Sequence, residues 1–207
     1  SVINNCQIEV KKIMNKKFKL IENDSIEING HKLYRLQALI DFDDVQAGDL
    51  GGYVENEENL SQMGDCWIYD DARVYGNACI YDNACVYDSA CVYDNAKVFN
   101  NAWISDNARI FNNTCVYGSS YVYDNARVYD NACVYGNASV YDNAHVFGSA
   151  RISGNAYVCD NAHVYDSAYV SGNAHISGIT SIFDNAHICA DMTISGKVNI
   201  CNNTHIF

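Results

Sequence analysis

The chain has 207 residues with 49% hydrophobic residues, 16 Tyr and no Pro, a bias that excludes a disordered segment and indicates a repeat architecture. Its net charge of −12 disfavours direct binding to nucleic acid or to an anionic membrane, and favours cations or basic protein surfaces. Because it shows neither an apolar run of membrane-spanning length nor a signal peptide, and most of the 10 Cys occupy interchangeable repeat positions, we expect a reduced, cytoplasmic protein.

Residues 1–60 predict a small α+β cap. Residues 1–17 have a loosely helical pattern, and two apolar runs flank Asn29-Gly30, which is a strong hairpin signal. A glycine-dense turn follows at 47–54.

Residues 61–207 carry a six-residue repeat. An aliphatic residue stands at 24 consecutive six-residue steps from Ile68 to Ile206, and Ala precedes it by two positions at 17 of 23 sites. A helix with 3.6 residues per turn would spread this column around its whole surface. Short strands joined by Asp-Asn or Gly-Asn corners fit the unit V-Y-D-N-A-x, because Asn tolerates the left-handed corner conformation.

This pattern resembles the left-handed parallel β-helix of hexapeptide-repeat proteins. The resemblance implies an all-β solenoid of about eight triangular coils of 18 residues, with the aliphatic residue and Ala inside. At a strand spacing of about 4.8 Å the rod would be on the order of 40 Å long.

Residues 18 positions apart then stack into outward columns, and one face combines aromatic and basic residues. Two interpretations stay open: rings that stack under guanidinium groups to join coils, or a binding surface for a protein or for a base with its phosphate. The candidate binding residues are Arg73, Tyr93, Arg109, Phe111, Arg127, Tyr129, His145 and Phe147.

A second face supplies three interface candidates, Trp67, Trp103 and Tyr121. Trp is enriched at the centres of protein interfaces. Trp67 has an equal alternative, which is to pack beneath the cap.

One corner column consists of six aspartates. Either these carboxylates cap local backbone N–H groups, or they form an acidic edge for a basic partner, with a charge spacing near that of one nucleic-acid strand. The column is Asp70, Asp88, Asp106, Asp124, Asp142 and Asp160.

No catalytic, cofactor or metal site is predicted. The stacked pairs His145/His163 and His187/His205 would need a further ligand to hold a metal. These pairs resemble the metal site of β-helical carbonic anhydrases, but the remaining ligand motif of those enzymes is missing from this sequence. Hexapeptide-repeat acyltransferases typically have an extruded loop and a C-terminal helical region, and neither is seen here. Acyl transfer is therefore the third hypothesis, and no cofactor is expected.

The block around Gly48-Asp-Leu-Gly-Gly-Tyr-Val54, followed by Tyr-x-Asn-Ala repeats, resembles a group of phage and prophage proteins over residues 16 to 80. The resemblance implies a bacterial host cell. Our hypothesis is a non-enzymatic protein that inhibits a host defence or nucleic-acid-handling factor, such as a CRISPR nuclease, through that factor's basic surface. The second hypothesis is a sponge for a small anionic nucleotide, bound by Arg109, Arg127 and the neighbouring rings.

A homodimer through the C-terminal coil is also expected, because the last coil would otherwise expose apolar residues and strand edges. Its residues would be Ile188, Ile194, Ile200, Ile206 and Phe207.

Overall fold

The computed structural model describes residues 16–189 and 191–207, so most of the predicted helical pattern at 1–17 lies outside the described residues. The described cap contains β1 (Phe18–Ile28), β2 (His31–Ala38), β3 (Leu50–Val54) and a 3-10 turn (Glu57–Asn59). The three strands form an antiparallel meander. Asn29 and Gly30, with φ of 51° and 85°, make the predicted hairpin turn.

The rest of the chain is the predicted left-handed β-helix, whose 24 short strands form three parallel sheets. We name each outward surface after a residue that it carries. The tryptophan face comprises β4 (Trp67–Ile68), β7 (Cys85–Val86), β10 (Trp103–Ile104), β13 (Tyr121–Val122), β16 (Ser139–Val140), β19 (Tyr157–Val158), β22 (His175–Ile176) and β25 (Thr193–Ile194). The arginine face comprises β5 (Arg73–Val74), β8 (Cys91–Val92), β11 (Arg109–Ile110), β14 (Arg127–Val128), β17 (His145–Val146), β20 (His163–Val164), β23 (Ser181–Ile182) and β26 (Asn199–Ile200). The cysteine face comprises β6 (Cys79–Ile80), β9 (Lys97–Val98), β12 (Cys115–Val116), β15 (Cys133–Val134), β18 (Arg151–Ile152), β21 (Tyr169–Ser171), β24 (His187–Cys189) and β27 (His205–Ile206).

The core is one continuous column of aliphatic residues and alanines. From Ile68 to Ile188 every residue of the aliphatic column has 0% of its surface exposed. Thr114, Ser120 and Thr180 replace Ala and are equally buried. Their hydroxyls donate hydrogen bonds to carbonyls three residues earlier at 2.7 to 3.0 Å, so these polar groups are satisfied inside the rod.

The corners use residues that accept positive φ. Asp and Asn corner residues have φ between 51° and 62°. At a glycine corner the next coil lies close: a Cβ added to Gly118 would lie 2.8 Å from the carbonyl oxygen of Gly136. Glycine at this corner therefore permits close stacking of the backbone as well as positive φ.

The cap closes the first coil by continuing its sheet. β3 pairs in parallel with β5, with Tyr53 opposite Arg73. Added Cβ atoms at Gly51 and Gly52 would lie 2.6 Å from Trp67 Cζ2 and 2.4 Å from the carbonyl oxygen of Ala72. The glycine pair is thus required for β3 to lie directly on the first coil.

Polar side chains of the cap bond to the backbone of the first coils. Glu55 accepts the N–H of Gly76 at 2.7 Å, in the position where later coils use a corner Asp or Asn. Lys17, which is 2% exposed, donates through Nζ to the carbonyls of Gly64 and Cys66. These contacts give hydrogen-bond partners to backbone groups of the first coil that would otherwise be unpaired at the end of the solenoid.

Among residues 16–189 and 191–207 there is no helix of the length and hydrophobicity needed to cross a bilayer.

Candidate functional site

The tryptophan face presents three large aromatic side chains to solvent. Trp103, Tyr121 and Tyr157 are 40%, 45% and 44% exposed, although each precedes a fully buried aliphatic residue. They stand at the same position of β10, β13 and β19 and therefore point the same way. Trp103 and Tyr121 are two of the predicted interface residues, and Tyr157 extends the same column.

A second aromatic column runs beside the first. Tyr69 and Tyr87 stack at 4.3 Å between ring centroids, and Trp103 covers Tyr87 at 4.0 Å. The indole can lie there because the next position of that column is the small Ser105 instead of a tyrosine. Further along, Tyr123 stacks on Tyr141 at 4.9 Å. One side of this face is therefore a packed layer of rings with the Trp103 indole partly exposed above it.

The aspartate edge, which we define as Asp70, Asp88, Asp106, Asp124, Asp142 and Asp160, borders this face. Each carboxylate accepts the backbone N–H of the corner residue one coil later, at 2.8 to 3.3 Å. The structure therefore shows turn chemistry, although the bonded N–H lies 18 residues away and not in the same turn as predicted. In each case it is Oδ2 that accepts, so Oδ1 is not used in this bond.

No ion pair neutralises the aspartate edge within the described part of the chain. The salt bridges there join Lys16 to Glu57, His31 to Glu55, and Arg35 to Asp24 and Asp71. Six carboxylates in line at the strand spacing repel one another unless cations or a basic surface approach them. The carboxylates of the aspartate edge thus connect adjacent coils by hydrogen bonds, and their negative charge is not neutralised by ion pairs within the described chain.

The arginine face shows the predicted stacking of rings, but without the guanidinium groups above them. From Tyr75 to Phe183 its rings stack at 4.8 to 5.1 Å with interplanar angles of 0° to 4°, so neighbours cover the ring faces. The predicted guanidinium groups do not lie over these rings: among the described residues the cation–π contacts involve Lys17, Lys32 and Arg35, all in the cap. Stacking therefore connects adjacent coils through the rings of Tyr93, Phe111, Tyr129 and Phe147.

The basic residues of that face differ in accessibility. Arg109 and Arg127 are exposed and adjacent, while Arg73 is half-buried and its Nε has no hydrogen-bond partner among the described residues. His145 lies against His163 at 5.0 Å. Burial, followed by the charges of His163 and Arg127, lowers the pKa of His145. Arg109 and Arg127 are the members of this set that an anion could reach.

Trp67 takes the second of its two predicted positions. It is 1% exposed and lies under Phe18 and Phe42, with ring centroids at 6.3 and 5.4 Å. Its exposed-interface role is therefore corrected: while the cap is closed, no partner can reach this indole.

The residues expected at the dimer end also differ in exposure. Ile188 is 0% and Ile194 7% exposed, because they belong to the interior of their own coils. Ile200 and Ile206 are partly buried, and Phe207 is 80% exposed. Only the last three reach beyond the core, and the dimer itself stays a prediction.

One cluster of potential metal-binding side chains was not predicted from the sequence. Cys159 is 4% exposed, and its Sγ lies 3.3 Å from His175 Nε2. Carboxylate oxygens of Asp142 and Asp160 lie within 4.8 Å of this sulfur and of each other. The sequence holds one signal for this cluster, which is the spacing of 16 residues between Cys159 and His175. In a coil of 18 residues, two residues 16 positions apart are diagonal neighbours on one face.

The comparisons with known proteins concern the repeat. A family model described as YdcK Beta solenoid repeat matches residues 121–136 and 126–141. The chain is similar to the uncharacterized acetyltransferase YdcK of Escherichia coli (strain K12), with 50% identity over 38 residues. The match covers 18% of this chain and 12% of that protein, and it supports a repeat β-solenoid.

Proposed function

We propose that this protein is a non-enzymatic binding protein that uses the tryptophan face and the aspartate edge to occupy a basic surface of a partner protein. The observation that carries the proposal is the exposure of Trp103, Tyr121 and Tyr157 beside the six carboxylates. Exposed aromatic clusters with a polar rim are typical of protein interfaces. The cap covers Trp67 but leaves Trp103 accessible.

The charge pattern suggests the class of partner. The carboxylates repeat at about 4.8 Å along the edge, compared with about 3.4 Å per phosphate along one nucleic-acid strand. A protein surface that binds a nucleic-acid backbone would therefore meet a similar row of charges. Together with the resemblance of residues 16–80 to phage proteins, this favours a bacterial nucleic-acid-handling or defence factor, such as a CRISPR nuclease, as the target.

A charge-matched pair of variants tests the role of the edge. Asp88, Asp106, Asp124 and Asp142 are changed together to Asn, and the control changes Asp94, Asp130, Asp166 and Asp184 of the corner after the arginine face to Asn. Asn112 already accepts a corner N–H in this rod, so Asn preserves the corner in both variants. Both remove four negative charges.

Partners captured from a bacterial lysate by the native chain are identified and titrated against both variants over a salt series. The edge variant should bind at least about tenfold more weakly with a shallower salt dependence, while the control stays near the native value. Equal affinity and salt dependence in all three proteins would contradict the proposal.

The aromatic half of the site has its own test. Trp103→Ser should weaken binding by about 30-fold or more, as expected for a central aromatic anchor. Tyr169→Ser, at the equivalent strand position of the cysteine face, is the control. Binding that is unchanged by Trp103→Ser would remove the tryptophan face from the interface.

Two further functions each have one supporting observation. The match to a protein named as an acetyltransferase supports acyl transfer, which predicts that acyl-CoA raises the melting temperature. The exposed pair Arg109 and Arg127 supports the nucleotide sponge. However, the open, shallow groove beside that face is lined by Asp94 and Asp130, which repel anions. A thermal-shift screen without nucleotide-dependent stabilisation would remove the sponge hypothesis.

A further inference from the structure

The aromatic layer of the tryptophan face stops at Tyr141. The next position of that column holds Cys159, and the one after it holds Ser177. A small thiol thus stands where earlier coils carry a ring, and the His175 imidazole from β22 reaches diagonally to it. The substitution brings a thiol, an imidazole and the aspartate edge together at one point of the rod.

The four side chains are held by the fold and not by flexible loops. Cys159 directly follows β19, and His175 opens the neighbouring strand β22, opposite Tyr157. Asp142 Oδ2 accepts the N–H of Asp160 at 3.1 Å, and Asp160 Oδ2 accepts the N–H of Gly178 at 2.8 Å. These bonds orient both carboxylates, and each keeps a second oxygen.

The donor set is chemically selective. Thiolate and imidazole are ligands of Zn²⁺ and similar transition metals, whereas Ca²⁺ and Mg²⁺ prefer oxygen alone. The 3.3 Å between Cys159 Sγ and His175 Nε2 is close to the separation of two ligands on one tetrahedral zinc ion. Carboxylate oxygens of Asp142 and Asp160 lie within 4.8 Å of the sulfur and of each other. The His175 nitrogen lies against the sulfur but outside this mutual set, so it joins the shell after a rotation toward the carboxylates.

The two carboxylates beside the Cys159 thiol concentrate negative charge, which favours the binding of a cation. Burial raises the pKa of the Cys159 thiol most, contact with the Tyr141 hydroxyl lowers it, and the carboxylates of Asp160 and Asp142 raise it again. A divalent ion reverses this effect, because it binds the thiolate and offsets the neighbouring negative charges. Binding would release the thiol proton to solvent, so metal affinity should fall as the pH is lowered.

We propose that Cys159, His175, Asp142 and Asp160 form a binding site for one divalent transition-metal ion of the Zn²⁺ class. With four protein ligands the ion is structural and joins the coil of β19 to that of β22. The site does not depend on partner binding by the tryptophan face.

The test uses the full chain, stripped of metal and titrated with Zn²⁺ and with Co²⁺ under reducing conditions. Equilibrium dialysis should give one Zn²⁺ per chain. Co²⁺ should produce the absorption band of thiolate-to-cobalt charge transfer, and Zn²⁺ should raise the melting temperature. Cys159→Ser should abolish the charge-transfer band, and His175→Gln should weaken binding at least about tenfold, as loss of a ligand should.

Matched controls separate this site from the other thiols and histidines. Cys133→Ser removes a thiol of the cysteine face, and His145→Gln and His187→Gln each break one of the stacked histidine pairs. All three should keep the native stoichiometry and the cobalt band. His175 is half-exposed, so His175→Gln should remain folded, which circular dichroism checks even if Cys159→Ser does not fold.

Several results would overturn the proposal. They are the absence of Zn²⁺ binding at micromolar concentration, a cobalt complex without the thiolate band, or native binding in His175→Gln. Loss of binding in His145→Gln or His187→Gln would assign the ion to a histidine pair instead.

Discussion

Single corner residues explain how a six-residue repeat becomes a triangular rod. Asp106 has a φ of 59°, accepts the N–H of Asp124 and donates its own N–H to Asp88. The positive φ was predictable from Asp-Asn and Gly-Asn pairs at fixed spacing. The bond to the next coil was not, because the repeat shows where the corners lie but not how far apart consecutive coils stack.

Asp106→Asn should leave the free energy of unfolding within about 0.5 kcal/mol of the native value, since Asn accepts the same N–H and tolerates the same φ. Asp106→Ala should lower it by about 1–2 kcal/mol, because Ala is strained at positive φ and accepts nothing. Urea denaturation of both variants measures the difference. Equal stability of the two variants would show that neither strain nor the inter-coil bond matters here.

His145 makes the stability of the fold depend on pH. Its pKa is lowered in the folded chain, by burial first and then by His163 and Arg127. The unfolded chain therefore takes up a proton at higher pH, near the ordinary value of about 6.5, and stability should decrease as the pH falls through this value. The decrease is complete once the pH lies below the folded pKa.

His145→Gln should make the slope of the free energy of unfolding against pH shallower between about pH 7 and 5. Denaturant titrations at a series of pH values measure it. His205→Gln, which changes an exposed histidine of another face, is the control. An unchanged slope in His145→Gln would contradict this account.

At the scale of elements, the ring columns join one coil to the next. The spacing of 18 residues predicted which rings share a face, and the structure shows parallel stacking with the ring faces covered. The position of Trp67 beneath Phe18 and Phe42 could not be decided beforehand. The cap lies outside the repeat, so the period says nothing about where its side chains pack.

Phe111 and Phe183 test the contribution of the ring column. Phe111 stacks on Tyr93 and Tyr129, whereas Phe183 stacks on Tyr165 alone. Phe111→Ala should therefore cost more than Phe183→Ala, by about 0.5–1.5 kcal/mol for the additional aromatic contact. Chemical denaturation of both variants gives the comparison. A larger loss in Phe183→Ala would show that stacking does not control the difference.

At the scale of the whole molecule, each coil depends on its neighbours, and the cap acts as the neighbour of the first coil. Glu55 illustrates this substitution. Although burial works in the opposite direction, its bonds with His31 and with the N–H of Gly76 hold the pKa of Glu55 below its usual value. The sequence predicted a cap before the repeat, but not that a glutamate would stand in for a corner aspartate.

Glu55→Ala should speed amide hydrogen exchange around Gly76 and leave exchange near Val134 unchanged, because contacts in a solenoid extend only to adjacent repeats. Exchange measured by mass spectrometry resolves the two regions. Glu58→Ala, which changes a more exposed carboxylate three residues later in the chain, is the control. Faster exchange along the whole rod would instead indicate that the solenoid opens as one unit.

The two tryptophans give the molecule intrinsic optical reporters. Trp67 is enclosed beneath the cap, whereas Trp103 is 40% exposed at the end of a stack of two tyrosines. Light absorbed by Tyr69 and Tyr87 can pass to the indole of Trp103 and leave as its fluorescence, which a dissolved quencher can reach. Quenching of Trp103 therefore reports on occupancy of the tryptophan face, and quenching of Trp67 reports on opening of the cap, without any added label.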